Sequence, residues 1–337
     1  MSIKFPQVRP LFIICNQIID KMKQKIQYLN DARTLAILWV VLIQHNFAPY
    51  GSHFGWVPNG SYELFSSDFL FITGYFTCMS MPICFFIAGI VAFLSMRRVD
   101  DKSFVDVLKK KAKRLLLPAF LFGLIFQVIK EHTITYKAVI GYMHFWFIID
   151  LFLISLIFIL INKKIGKILH IILTLVAVVI ASLLSNRLFN FCSGYFFYLV
   201  GYMVTVYYKR KSAKYQDISF GNVCILFVLS VLAFLCFPEK LKSIMVPIFA
   251  IPVLIVALKN ISFFYHALWL VLCKYSYGIY IFHMLYLYAI YYGLNYGGAN
   301  SFLIENAYWV STLIALITIP LSIITTNFVN KTKFLKI

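Results

Sequence analysis

The sequence predicts an all-α integral membrane protein, a bundle of about ten transmembrane helices with both termini cytoplasmic. Three observations carry this. First, 62% of the 337 residues are hydrophobic and only 13% are charged, against about 45–50% and 25% in soluble domains; mean hydropathy is +0.85. Second, the apolar residues fall in runs close to the roughly 17–25 residues that a membrane helix needs. Third, lysine and arginine concentrate in alternate connections between those runs. A chain of this size has no aqueous core large enough for so much apolar side chain, so the bilayer is its solvent.

The runs lie at about 34–50, 69–95, 115–129, 144–162, 168–185, 189–208, 219–237, 242–258, 275–294 and 304–328. The first opens after Arg33 and contains His45. The second is long enough to tilt, and Pro82 near its middle is a natural kink point. The third is short. No soluble domain interrupts the series, and there is no repeat of fixed period. With the N-terminus inside, 26 of the 31 Lys and Arg fall in cytoplasmic segments; only Lys130, Lys137, Arg187, Lys240 and Lys242 fall outside. That is the asymmetry of the positive-inside rule. It also accounts for the formal charge of +19 without nucleic acid, for which too little polar surface remains.

Residues 1–32 read as a cytoplasmic amphipathic N-terminal segment, 33–328 as the membrane domain and 329–337 as a basic cytoplasmic tail. Within "LFIICNQIIDKMKQKIQYLN" (11–30), Ile18, Ile19, Met22, Ile26 and Leu29 recur at helical spacing while Lys21, Lys23 and Lys25 occupy other faces. This is the pattern of a helix lying on the inner membrane surface; translation from Met22 is an alternative. The run "LFIIC" is too short for a cleavable signal. The seven cysteines lie singly, with neither a CxxC pair nor zinc-site spacing, and read as packing thiols.

Ionisable groups within the bilayer are costly and default to functional candidates. His45 follows Arg33 by 12 residues, about 18 Å along a helix, which places it in the outer half of the bilayer. Such a histidine is either catalytic or hydrogen-bonded to a neighbouring carbonyl. In "MPICFFIAGIVAFLSMRR" (81–98) and "FVDVLKKKAKRLLLP" (104–118), eight cations crowd one inner connection: Arg97, Arg98, Lys102, Lys109, Lys110, Lys111, Lys113 and Arg114. They anchor topology, and their surplus over other inner loops suits a phosphorylated cofactor or acidic lipid. In "HFWFIIDLFLI" (144–154), His144 opens a span at a depth comparable to His45. Asp150, about 9 Å deeper, needs a histidine, an arginine or a water-filled cavity as partner. Trp146 is either an interfacial anchor or a substrate contact. In "CKYSYGIYIFHMLYLY" (273–288), Ser276 and His283 are two turns apart on one face. Both are candidate substrate contacts, although packing explains Ser276 as well.

These four stretches, in this order on ten spans, resemble the membrane-bound acyltransferase 3 family over nearly the whole chain from about Asp31. "RTLAILWVVLIQHNF" resembles its opening helix, with an Arg before a His near the end of the apolar run. "MPICFFIAGIVAFLSMRR" resembles its "MPLFFFLSGF" segment, and "KKKAKRLLLP" its "R..RLLIP" helix start. "HFWFIIDLFLI" resembles "HLWFL", and "YSYGIYIFH" resembles "YSLGIYLLH". One departure concerns the first helix. The family has ten residues between Arg and His, whereas Thr34 to Gln44 make eleven here. One extra residue turns a regular helix by about 100°, so the family's facing is kept only through a π-bulge. Gln44 looks like the insertion.

The resemblance implies a multi-pass inner-membrane enzyme moving an acyl group, by default acetyl, from acyl-CoA to a hydroxyl of a cell-surface or periplasmic glycan. Succinyl is the alternative acyl group. Acetyl-CoA or another acyl-CoA would be a donor substrate rather than a resident cofactor. Arg33, Arg97, Arg98, Lys110 and Arg114 would hold its phosphates, and His45 would be general base or transient acyl carrier. Asp150 or His144 would orient the imidazole or meet the sugar, with Trp146, Ser276 and His283 also contacting substrate. The expected partners are therefore membrane lipid, glycan and acyl-CoA. The principal rival is a transporter or flippase of lipid-linked glycan, which would need no acyl-CoA; no repeated half with paired broken helices supports it.

Overall fold

The computed structural model describes residues 27–51, 55–96, 104–136, 141–162, 165–210, 219–260 and 266–332, and within them all regular structure is helical. The amphipathic stretch up to residue 26, Arg97, Arg98, Lys102 and the tail from residue 333 lie outside the described residues.

The first helix, α1, covers 27–39 and continues into a π-turn, Val40–Gln44. Short 3-10 turns at Ala48–Tyr50 and Tyr62–Leu64 lead to α2, Ser67–Met96. Next come α3 (Phe104–Lys111), a second π-turn (Ala112–Leu116) and α4 (Leu117–Glu131), in direct succession. A 3-10 turn at Met143–Phe145 opens α5 (Trp146–Asn162). The series continues with α6 (Lys167–Leu184), α7 (Asn186–Arg210), α8 (Phe220–Cys236), α9 (Glu239–Asn260) and α10 (Ala267–Tyr296). The short α11 (Asn300–Glu305) and α12 (Ala307–Lys331) complete it.

Each apolar run expected from the sequence lies mainly on one of these helices, although the run 34–50 leaves the helix after the π-turn and ends in a 3-10 turn, and the run 304–328 begins in α11. Eight helices among the described residues are long and apolar enough to cross a membrane; α8 is apolar but has only 17 residues. Two boundaries differ from expectation. The basic segment before residue 115 is helical from Phe104 onward, because nothing between Phe104 and Leu117 breaks a helix, and Pro118 follows directly on the π-turn Ala112–Leu116. Likewise, α1 extends back past Arg33 to residue 27, so residue 33 is not a structural break. Pro82 lies inside α2, whose helical assignment is continuous around it.

Lipid offers no hydrophobic drive to join helices, so close backbone packing does much of that work. The most extensive pairing is α2 with α7. A Cβ on Gly89 of α2 would lie 1.9 Å from the Tyr198 carbonyl oxygen, and one on Gly201 of α7 would lie 2.0 Å from that of Phe86. Two backbones therefore meet with no room for a methyl group on either side. The partner pair, α10 with α12, closes similarly at Gly278 against the Thr326 side chain. Outward faces are apolar: Ile168, Val179 and Leu183 on α6, and Phe220, Ile225 and Leu235 on α8, are exposed. This is the distribution expected where hydrocarbon rather than water meets the surface.

Gly89→Ala and Gly201→Ala are each expected to lower the thermal midpoint of the detergent-solubilised protein, by roughly 1–3 kcal/mol of overpacking or more. Gly221→Ala, whose new methyl would meet nothing within 4 Å, should leave it unchanged; equal behaviour of the three would contradict this packing.

Candidate active site

Three histidines from three separate chain segments meet where α1 ends, α5 begins and α10 passes its midpoint. His45 follows the π-turn, and its backbone N–H bonds the Val40 carbonyl at 2.8 Å, the i→i−5 bond that defines such a turn. The eleventh residue between Arg33 and His45 is thus absorbed as the sequence required. Gln44, the last residue of the π-turn, accepts a hydrogen bond from the buried Ser80 hydroxyl at 3.3 Å. A wider turn here leaves the helix able to end on His45 with its polar neighbour satisfied.

His144 is aimed by a tight bend. Gly141 has φ +102°, where a side chain would strike the Trp146 backbone, and Met143 has φ +53°, a sparsely populated region for a non-glycine residue. Strain of this kind persists only where surrounding contacts hold it. Here the Tyr280 hydroxyl donates to the His144 carbonyl at 2.5 Å, and the His144 Nε2 lies 3.3 Å from the Ile281 carbonyl oxygen. His283 lies on α10 itself, its Nδ1 3.1 and 2.8 Å from the carbonyl oxygens of Ile279 and Tyr280 one turn earlier.

Between the imidazoles, His45 Nδ1 and His283 Nε2 are 2.7 Å apart. The ring centroids lie 5.0 Å apart with planes within 9°, so the two rings meet edge to edge rather than face on face. His144 completes the group, its centroid 4.9 Å from that of His283 and 6.1 Å from that of His45. Relative exposures are 8% for His45, 3% for His144 and 0% for His283. His144 Nδ1 and the Oδ1 of the adjacent Asn46 are buried acceptors without a hydrogen-bond partner. Unmatched buried acceptors are costly, and they suit a ligand bringing O–H or N–H donors. Among the described residues, no group of three or more His, Cys, Asp or Glu is arranged to hold a metal ion.

The other sequence candidates divide. Asp150 gives both carboxylate oxygens to Arg187, each at 2.6 Å, and makes no hydrogen bond to a histidine. Arg187 in turn lies over the Trp146 ring, 5.4 Å from its centroid. Asp150, Arg187 and Trp146 are therefore one cluster, beside the histidines in sequence but bound to one another. Of the three partner types that burial demanded for Asp150, the arginine is the one present. Ser276 donates to the Cys273 carbonyl at 3.1 Å, a bond within its own helix.

At the other end of the group, Arg33 reaches the Cys273 carbonyl at 3.4 Å with Nη2, and its Nε is buried without a partner. The Tyr277 hydroxyl donates to the Arg114 carbonyl at 3.0 Å. One turn of α10 thereby gathers Arg33 and Arg114, while Lys110 and Lys113 remain exposed nearby in sequence. Ten residues separate Cys273 from His283, about 15 Å along α10. Sequence reading did not single out Asp31, which is 2% exposed and accepts from Gln27, Trp269 and Cys273 at 2.9, 2.8 and 3.5 Å. It clamps α1 to α10. No spacing rule signals that clamp, because its partners on α10 lie some 240 residues away.

Since Asp150 is 1% exposed and Arg187 49%, the two partners should respond unequally to deletion. Arg187→Ala strands a buried carboxylate, whereas Asp150→Ala frees a guanidinium that reaches water. Calorimetry or thermal unfolding should show the larger loss for Arg187→Ala, on the order of 2–4 kcal/mol for an abandoned buried charge.

The family model for an acyltransferase domain, that of the acyltransferase 3 family, matches residues 26–327. No curated protein and no solved structure matches the chain. The matched span begins at the described start of α1 and runs into α12, taking in every histidine and arginine of the site. The chain belongs to the acyltransferase 3 family and is a multi-pass membrane acyltransferase.

Proposed function

We propose that this enzyme transfers an acyl group, acetyl by default, from acyl-CoA to a hydroxyl of a cell-surface or periplasmic glycan, with His45 as the general base. The observation carrying this reading is the buried contact of His45 with His283 in a family of acyltransferases. It occupies Nδ1 of His45 and leaves Nε2 for the acceptor hydroxyl. Histidine suits the task because its ordinary pKa, about 6.5, lies near operating pH.

In the proposed step the hydroxyl proton passes to His45 Nε2 as the oxygen attacks the thioester carbonyl carbon. The C–S bond then breaks, and the departing thiolate takes that proton to leave as free coenzyme A. The products are the O-acyl ester and the thiol. The unpartnered acceptors His144 Nδ1 and Asn46 Oδ1 fit a substrate rich in hydroxyl donors, as a sugar is. The donor's anionic end would lie with Arg33, Lys110 and Arg114, joined by Arg97 and Arg98, since guanidinium groups match phosphate geometry. The rise of about 15 Å along α10 between Cys273 and His283 suits a donor with phosphates at one end and a thioester at the other. In this reading the basic residues face the cytoplasm and the histidines the outer half of the bundle, which the distribution of Lys and Arg supports.

Purified protein given radiolabelled acetyl-CoA and the envelope glycan fraction of the producing cell should transfer label, and His45→Ala should not, while its thermal midpoint stays near that of the native chain. Full transfer by His45→Ala would refute the assignment. Failure of the native chain with acetyl-CoA, but transfer with succinyl-CoA, would change the acyl group and keep the enzyme class.

A further inference from the structure

His283 has two jobs that the reaction scheme above leaves unexplained: it is fully buried, and it touches His45 with one ring nitrogen and its own helix with the other. Carbonyl oxygens only accept hydrogen bonds, so the nitrogen facing Ile279 and Tyr280 carries a hydrogen. A neutral imidazole has one N–H, which makes Nε2 of His283 a bare acceptor. The 2.7 Å contact then requires His45 to donate from Nδ1, and neutral His45 must carry its lone pair on Nε2. The alternative, a doubly protonated His283, would bury a cation whose ring contacts only carbonyls and imidazoles, which is far more costly than the neutral chain.

From this order of donors we infer that His283 is a positioning residue, setting the tautomer and the ring orientation of His45 so that the nitrogen presented to the acceptor hydroxyl is the basic one. The inference rests on His45 acting as the base. It assigns His283 a place behind that base rather than against the substrate. When His45 takes the hydroxyl proton at Nε2, its Nδ1–H becomes the donor of a charge-assisted bond to His283, so the same contact holds the imidazolium until the departing thiolate takes the proton. The orienting carbonyls belong to the helix ladder and cannot rotate away. Tyr280 ties the device to the third histidine, because its carbonyl receives His283 while its hydroxyl donates to the His144 carbonyl. The carboxylate nearest in sequence to His144, that of Asp150, is held by Arg187.

The test compares the native protein with His45→Ala, His283→Phe and His283→Gln in transfer of radiolabelled acetyl to the envelope glycan fraction. A misdirected base costs about 100-fold. His283→Phe should therefore lose at least that factor in kcat with little change in KM for acetyl-CoA. His283→Gln, whose amide oxygen can accept from His45 Nδ1–H, should recover at least ten-fold of the loss. A kcat within two-fold of native for His283→Phe, while His45→Ala is inactive, would overturn the inference and leave the base intact; activity in His45→Ala would overturn the reading on which it rests. Selective ¹⁵N-histidine spectra of the native protein give a second readout that needs no variant. They should show His45 protonated at Nδ1 and bare at Nε2, and the opposite tautomer would refute the proposed order.

Discussion

Inside hydrocarbon a polar group has no water to fall back on, and every hydrogen-bonding atom brought there must be answered by another from the same protein. The organisation of this molecule follows from that demand. Asp150 is answered by Arg187, Asp31 by Trp269 and Gln27, Gln44 by Ser80, and His45 by His283. Each pair joins segments far apart in the chain or adjacent helical turns, so satisfying polarity and assembling the bundle are largely the same event. Among the described residues, the acceptors left over include His144 Nδ1, in the histidine group, and Asn46 Oδ1, on the residue after His45; others lie at His170, Asn295 and Asn300.

The helix α10 is the element that makes this economical. Over 30 residues it presents Trp269, Cys273, Tyr277, Tyr280 and His283 at spacings of three and four, one side of an α-helix. That side meets, from one end to the other, Asp31, Arg33, the Arg114 backbone, His144 and His45. A rigid rod with a fixed rise holds the cationic end and the imidazole end at a set separation. Close contacts keep the rod in place, since Gly278 leaves no space between α10 and Thr326 of α12.

Two π-turns adjust this frame locally. Val40–Gln44 takes up one residue before His45, and Ala112–Leu116 carries Lys113 and Arg114 at the start of α4. Such turns are rare and occur frequently at functional sites. Here one lies at each end of the proposed donor path. The first was readable as a requirement from an eleven-residue spacing; the second was not, because no reference spacing marked it.

Much of the site was legible as a set of residue types, and little of it as a set of partnerships. His45 and His144 stood out because an imidazole at a span's end is costly; the depth argument put them at a comparable depth, and only the fold brings their centroids to 6.1 Å. His283 was visible as an ionisable residue in an apolar helix, yet the place behind His45 proposed for it depends on which nitrogen faces which atom. Arg187 was counted only as an outer charge, since its match with Asp150 spans a loop and a helix. The sequence by itself determined the solvent, the helices, their order and the cost of each buried polar group, because composition and periodicity act locally along a chain. Only the tertiary structure decided which group answers which. Hydrogen bonds are short and directional, so a partner hundreds of residues away is fixed by packing and leaves no trace in spacing.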